Sequence, residues 1–363
     1  MNFDQSLLLW AGIAIIIIII LLACIAFLIS FIRRRSRPKR QVEPTTPSMP
    51  VVAQTNQAAT PTIPSNPSAK PVEDLATVPS NRVQAKDPAA TLPSVQYDDG
   101  LVIRPVSDER PANINWQIAG LTHVGRKREL NEDNLLLIEA GMSDLGVSGL
   151  YIVADGMGGH ESGELASRLT IDTIHEHFRQ QPPTPQQAPF EEWLKSAIMS
   201  ANETVIAHQQ DGNEPKKMGA TLVMAFVNNN QAHIANVGDS RAYHLTAETI
   251  SQISVDHSLV ERLIEIGQIT REEARTHKQR NVVYSTVGDK AKMQIGYYHV
   301  DLQPGDRLLL CSDGLSGMLT DEQIFNISRD QTSPTKACEM LIRAANAAGG
   351  EDNITAIMIE MDE

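Results

Sequence analysis

Carboxylates stand at the ends of apolar, strand-like runs in the C-terminal two thirds of this chain, and that placement limits what it can fold into. The motifs are Asn131-Glu132-Asp133, Asp155-Gly156-Met157-Gly158-Gly159-His160, Ser312-Asp313-Gly314 and Glu351-Asp352-Asn353. Residues 150–153 lead into Asp155, residues 307–311 lead into Asp313, and residues 354–359 follow Asp352. Strand-end carboxylates with no Lys or Arg beside them repel one another, so a fold that gathers them needs a cation to neutralise the cluster. The pattern reads as a hydrolase built around hard divalent metal ions.

Charge and proline divide the chain unevenly. Residues 1–112 hold 13 of the 20 prolines, with 11 Lys or Arg against 9 Asp or Glu. That leaves 20 basic and 35 acidic residues in 113–363. An acidic globular part argues against nucleic acid as a partner, because affinity there comes from cationic neutralisation of phosphates. With only Cys24, Cys311 and Cys338, a disulfide framework is excluded, which fits a reducing compartment.

Residues 7–32 are an almost unbroken apolar run with six consecutive isoleucines, Ile15 to Ile20. The run is long enough to span a hydrocarbon core of roughly 30 Å, and it predicts a transmembrane helix. Arg33, Arg34, Arg35, Arg37, Lys39 and Arg40 follow at once, while only Asp4 precedes it. The positive-inside bias predicts a single-pass protein of the inner or plasma membrane with a cytoplasmic catalytic part. A cleaved signal peptide would need a cationic start and a small-residue cleavage site. The tetrad Leu21-Leu22-Ala23-Cys24 resembles a lipoprotein cleavage box without the basic start, so Cys24 is read as a helix residue. Residues 33–112 read as a basic juxtamembrane segment and a Pro-rich disordered linker, since residues 41–112 lack any sustained period.

From residue 113 to 363 the pattern is mixed. Strands are expected at 116–123, 134–139, 150–154, 220–227, 232–236 and 293–300, and helices at 161–179, 191–210 and 334–347. Helix pairs among strands in meander order predict antiparallel sheets covered by helices, an α+β layer sandwich.

Taken one at a time the acidic motifs are weak, since an Asp-Gly after a strand is usually a turn. Their order along the chain is more specific. Thr122-His123-Val124-Gly125, Arg128-Glu129-Leu130-Asn131-Glu132-Asp133 and Val153-Ala154-Asp155-Gly156-Met157-Gly158-Gly159-His160 open the series. It continues through Met218-Gly219-Ala220-Thr221, Asn236-Val237-Gly238-Asp239-Ser240-Arg241, Asp256-His257-Ser258-Leu259-Val260 and Gln279-Arg280-Asn281-Val282. It closes with Ser312-Asp313-Gly314-Leu315 and Glu351-Asp352-Asn353-Ile354-Thr355. From residue 119 to 359 the chain resembles the catalytic domain of metal-dependent type 2C protein Ser/Thr phosphatases, the PPM family, in its bacterial form.

The resemblance implies a four-layer α-β-β-α sandwich of two antiparallel sheets flanked by helices, with Mn²⁺ or Mg²⁺ at one end. Asp155 then matches the carboxylate that bridges two ions, and Gly156 lends its carbonyl to one of them. Asp313 and Asp352 match the other carboxylate ligands, and Asp239 matches the residue that joins Asp313 at a third, weaker ion. Arg128 matches the arginine that grips the substrate phosphate, and Asp133 a carboxylate that orients metal-bound water. His160 matches a histidine that either relays a proton to the leaving hydroxyl or fixes its loop by hydrogen bonding. Met157 stands where eukaryotic relatives carry a histidine proposed as general acid, which leaves a metal-bound water for that role.

Hard divalent ions choose oxygen ligands, two of them can activate a bridging water, and an Arg fork suits a phosphate monoester. The expected reaction is therefore direct hydrolysis of phosphoserine and phosphothreonine by a metal-bridged hydroxide, with no phosphoenzyme. The implied partners are phosphorylated Ser/Thr proteins, including a cognate kinase or its substrates, and the membrane through the N-terminal helix. A catalytically silent, phosphatase-like signalling scaffold is the alternative, and it has no need of all these acids.

Other chemistries fail on spacing. Neither Cys311 nor Cys338 has an Arg at the distance a thiol phosphatase requires, and Cys311 reads as a buried strand residue. His175 with His177, and His233 with His244, lack companions at zinc spacing. Residues 259–277 match the family's mobile flap, and the spacing of Leu259, Leu263 and Ile266 predicts a helix packed on the core. Tyr284-Ser285-Thr286 departs from the Thr-Arg pair of many relatives.

Overall fold

The computed structural model describes residues 95–96, 102–104, 115–142, 146–158, 161–184, 189–210, 217–289 and 293–362. The expected membrane helix at 7–32, most of the expected linker and His160 lie outside the described residues. Among the described residues, no helix is long and apolar enough to cross a membrane.

In chain order, β1 (Val95–Gln96), β2 (Val102–Arg104), β3 (Trp116–His123), β4 (Asp133–Met142) and β5 (Gly146–Met157) lead into α1 (Glu161–Gln180) and α2 (Phe190–Gln210). There follow β6 (Gly219–Ala220), β7 (Leu222–Asn228), β8 (Gln231–Val237), β9 (Arg241–Leu245) and β10 (Ile250–Gln252), then α3 (Leu259–Glu265) and α4 (Arg271–Arg275). The chain closes with β11 (Gly296–Asp301), β12 (Arg307–Cys311), α5 (Asp313–Ser316), α6 (Asp321–Arg329), α7 (Pro334–Ala347) and β13 (Ile354–Met361).

Two antiparallel sheets result. One runs β1-β2-β3-β13-β12-β9-β10 and the other β11-β8-β7-β5-β4, with β6 paired to β5. The central strands are buried on both faces, which is why they read as continuous apolar runs. On β12, Leu308 and Leu310 point between the sheets, while Leu309 and Cys311 point at α6 and α7. On β5, Tyr151 and Val153 face the other sheet, while Leu150, Ile152 and Ala154 pack with Ile174 of α1 and Ile198 of α2. Three stacked cores follow, one between the sheets and one under each helix pair, so the expected α-β-β-α layering is present.

Two expectations need correction. Residues 95–96 and 102–104, expected within the linker, are strands, with Val102, Ile103 and Arg104 paired to Thr122, Leu121 and Gly120. A short apolar stretch can join an existing sheet by its backbone, without a period of its own to announce it. The apolar spacing in α3 does not bury that helix in the core. Its one buried residue is Glu261, and Ile266 just beyond it is 60% exposed.

Candidate metal centre

Strand register brings the acidic motifs to one end of the sandwich. Asp133 opens β4 and sits directly opposite Asp155 of β5. Asp313 follows β12 and Asp352 precedes β13, and those two strands are antiparallel neighbours. Asp239 lies in the turn between β8 and β9, whose glycine, Gly238, holds a φ of +100°.

Hydroxyl groups from one sheet hold a carboxylate of the other. Ser312 Oγ and Thr355 Oγ1 donate to Asp133 Oδ2 at 2.8 and 2.6 Å, and Ser312 Oγ accepts from the Thr355 backbone N–H at 3.0 Å. Asp133 Oδ1 and Asp313 Oδ1 are buried without a hydrogen-bond partner. Burial first, and then the charges of Asp133, Asp313, Asp239 and Asp352, hold the Asp155 carboxyl well above the usual carboxylate range. Burial, offset by the two hydroxyls and reinforced by Asp313 and Asp352, raises Asp133 to about 7. Burial and Asp352 raise Asp313 to about 6, and burial with Asp313 and Asp256 raises Asp239. Acids that oppose one another's ionisation, with lone pairs aimed at no donor, are the oxygen-rich environment a hard divalent cation neutralises. Among the described residues no three of these side chains stand as a ready-made cage for an ion, and it is the chemistry of the donor set, acidic and oxygen-only, that suits Mg²⁺ or Mn²⁺.

Arg128 lies on the loop between β3 and β4, where its exposed guanidinium donates from Nη2 to Asp352 Oδ2 at 2.7 Å. Asn353 shapes that loop. Its Nδ2 donates to the carbonyls of Val124 and Leu130 at 2.8 and 2.9 Å, and its Oδ1 accepts from the Glu132 N–H at 2.8 Å. The N–H groups of Arg126 and Lys127 donate to the Gly350 carbonyl. Gly156 donates its N–H to the Glu132 carbonyl, and a Cβ there would stand 2.0 Å from the Gly163 carbonyl oxygen. Only glycine lets β5 pass that close to α1.

The structure thus brings Asp133, Asp155, Gly156, Asp239, Asp313, Asp352 and Arg128 to one end, while His160 lies outside the described residues. Sequence reading assigned no role to Ser312, Asn353 and Thr355, although each adjoins a singled-out acid. Nor did it assign the pairing of Arg241 with Asp256, whose bonds of 2.6 to 3.0 Å fasten β9 to the segment before the flap. The thiols of Cys311 and Cys338 are buried and pushed up to about 12, which leaves no thiolate nucleophile among the described residues. The histidines weighed for zinc serve elsewhere: His177 lies against Trp193, His233 stacks on Phe190, and His244 Nε2 meets Asp306 Oδ2 at 2.9 Å.

A helix-flanked double sheet that collects buried carboxylates at one end defines a class, the two-sheet sandwiches with an oxygen-rich acidic site. Residues 120–347 match the protein phosphatase 2C family. The chain belongs to the protein phosphatase 2C family and is a protein phosphatase. It is 35% identical over 239 residues to the serine/threonine phosphatase stp of Listeria welshimeri, covering 66% of this chain and 93% of that protein. It is 36% identical over 262 residues to the protein phosphatase PhpP of Streptococcus pneumoniae, covering 68% of this chain and 98% of that one. Among solved structures, the Streptococcus agalactiae serine/threonine phosphatase superposes with a TM-score of 0.63 at 30% identity, over 68% of this chain and all of that one. The catalytic domain of the phosphatase PstP in complex with two manganese ions gives a TM-score of 0.59 at 29% identity, over 68% and 99% of the two chains.

Proposed function

We propose that this protein is a Mn²⁺- or Mg²⁺-dependent phosphatase that hydrolyses phosphoserine and phosphothreonine in proteins by direct attack of water, with no phosphoenzyme. The observation that carries the reading is the convergence of Asp155, Asp239, Asp313 and Asp352 around orphaned carboxylate oxygens. Asp155, the Gly156 carbonyl, Asp313 and Asp352 are assigned to two ions, and Asp239 with Asp313 to a third. When bound, the ions supply positive charge for the phosphoryl oxygens and lower the pKa of a water between them.

The remaining work falls to side chains. Arg128 is half exposed and held by one strong bond to Asp352, so neutralising Asp352 frees its fork for a phosphate monoester. Asp133, anchored through Oδ2 by Ser312 and Thr355, keeps Oδ1 free to accept a hydrogen bond from the attacking water. His160 is proposed, from the resemblance alone, as a proton relay or a loop anchor. A silent scaffold would have no reason to gather these acids against their own repulsion.

Residues 7–32 are proposed to anchor the enzyme in the membrane, with the catalytic part on the cytoplasmic side, near a phosphorylated Ser/Thr kinase or its substrates. The decisive experiment is phosphate release from a phosphothreonine peptide by the full-length chain, in Mn²⁺ and in EDTA, beside Asp155→Ala. Turnover that needs Mn²⁺ and vanishes in the variant supports the reading. No turnover by folded, Mn²⁺-loaded wild type would leave the scaffold.

A further inference from the structure

Arg126, Lys127 and Arg128 are the longest cationic run in residues 113–363, a stretch with 35 acidic residues against 20 basic ones. They lie on the loop between β3 and β4, at the end of the sandwich where the acids gather. Arg128 is engaged there, 2.7 Å from Asp352 Oδ2 and 3.9 Å from Glu132 Oε2. Its two neighbours are not. Among the described residues the side chains of Arg126 and Lys127 form no ion pair, and both are exposed.

The backbone beneath them is fixed. Gly125 takes a φ of +83° and donates its N–H to His123 Nδ1 at 2.8 Å, and a Cβ there would stand 2.1 Å from the Asp352 carbonyl oxygen. His123 Nδ1 also accepts from Nδ2 of the buried Asn346 at 3.2 Å. The N–H groups of Arg126 and Lys127 donate to the Gly350 carbonyl at 2.8 and 3.1 Å. The stem of Arg126 rests on Gly350, where a Cβ would meet its Cγ at 3.1 Å. The loop is thus clamped to the turn that carries Asp352, while two cationic heads stay in water. Adjacent like charges on a fixed backbone repel, and an anion beside them relieves that repulsion.

Consecutive Cα atoms are about 3.8 Å apart, so Lys127 and Arg126 start roughly 4 to 8 Å from Arg128 along the loop. An extended peptide advances roughly 3.3 Å per residue, so with its phosphate on Arg128, groups about one to three positions away come within reach of these heads. We propose that Arg126 and Lys127 form an anion subsite beside the reacting phosphate, which takes a carboxylate or a second phosphate carried by the substrate near its phosphorylated residue. The Arg126 fork suits either anion in a bidentate pair, and Lys127 adds a point charge. The inference rests on the phosphatase reading and on Arg128 as the phosphate grip, and it names the class of phosphoprotein the site prefers.

The test uses the full-length chain in Mn²⁺ with three phosphothreonine peptides of equal length: one flanked by alanines, one by glutamates, and one carrying a second phosphate on a nearby serine. Wild type favours the glutamate-flanked peptide over the alanine-flanked one by about fivefold in kcat/KM, through KM at similar kcat. The second phosphate, with its larger charge, gives a greater preference. Raising NaCl from about 50 mM to about 0.5 M shrinks both ratios, because the charges are exposed. Combining Arg126→Ser with Lys127→Ser brings the ratios to within about twofold of unity, and each single variant falls between. A control combines Arg179→Ser, in the last turn of α1, with Lys195→Ser, near the start of α2, where Trp193 Nε1 meets the Gln181 carbonyl. That end of α1 is roughly 30 Å from the end beside Gly156, and the control keeps the wild-type ratios. Each ratio is taken within one protein, so a general loss of activity cancels. A wild-type ratio of one overturns the proposal, as does a preference that survives in the double variant. Equal loss in the control also overturns it, by tracing the preference to net charge. Preference for the second phosphate alone assigns the subsite to phosphate, and preference for both assigns it to anions in general. If the double variant does not fold, the single variants decide. Folded wild type that turns over none of the peptides removes the phosphatase reading itself, which a failure of the ratios alone leaves standing.

Discussion

Asn353 and Asp133 show how single side chains set this site. Asn353 is almost fully buried and spends both ends of its amide on the loop that carries Arg128. Asn353→Ala leaves two carbonyls and one N–H to find water, at a cost of about 2–4 kcal/mol in unfolding free energy. Because the same bonds aim Arg128, kcat/KM for a phosphothreonine peptide falls further than stability alone explains. Denaturant melts and steady-state rates on the folded variant check both parts, and an unchanged kcat/KM would show that Asn353 does not aim Arg128. Asp133 supplies a pH dependence. Its folded pKa of about 7 lies above its ordinary value of 3.8, so its stabilising contribution is complete below the lower value and is lost as pH rises through the upper one. Asp313, raised to about 6, acts in the same direction. The melting temperature of the EDTA-treated chain should therefore drop between about pH 4 and 7, and saturating Mn²⁺ should flatten that slope. A slope indifferent to Mn²⁺ would mean that other groups set it.

Elements were legible in the sequence to the extent that burial wrote a period into them. The long helices at 161–180, 190–210 and 334–347 show an apolar face, and β7 shows an apolar run unbroken from Leu222 to Val227, so their positions follow from the residues. β9 does not: Arg241, Tyr243 and His244 spend their polar ends on Asp256, Asp321 and Asp306, so a strand with a fully buried tyrosine looks like polar surface. α6 is brief, and its Thr320 and Gln323 capping box is its main local signal. The acids were legible because their motifs are, whereas the bonds that hold them cross between sheets, and no single stretch of sequence contains both partners. The crossing of β5 and α1 at Gly156 and Gly163 follows the same logic, since a side chain there would strike the neighbouring backbone. Gly156→Ala should accordingly separate β5 from α1 and cost several kcal/mol, on the scale of overpacking a rigid contact. A melting temperature within a degree or two of wild type would show that the backbone yields easily, and Mn²⁺ titration would show whether Asp155 moves with it.

At the scale of the whole molecule, the family match accounts for residues 120–347 and leaves the N-terminal third to be explained by location. The linker proposed at residues 41–94, ahead of the first strand, carries no sequence period, and a flexible chain of that length would have a root-mean-square reach on the order of 40 Å, more with its prolines. A phosphatase on such a tether meets membrane-bound substrates at a raised effective concentration, whereas a soluble peptide is met as before. Deleting residues 1–40 removes the proposed span and its arginines while sparing every element described here. Turnover of a soluble phosphothreonine peptide should stay within about twofold of the full-length chain, because the tether contributes nothing to the metal site. Dephosphorylation of a phosphoprotein reconstituted in vesicles should fall by roughly tenfold or more at equal enzyme concentration. Equal loss on both substrates would place the N-terminal segment in the catalytic machinery, and no loss on either would remove the anchor as the reason for the segment.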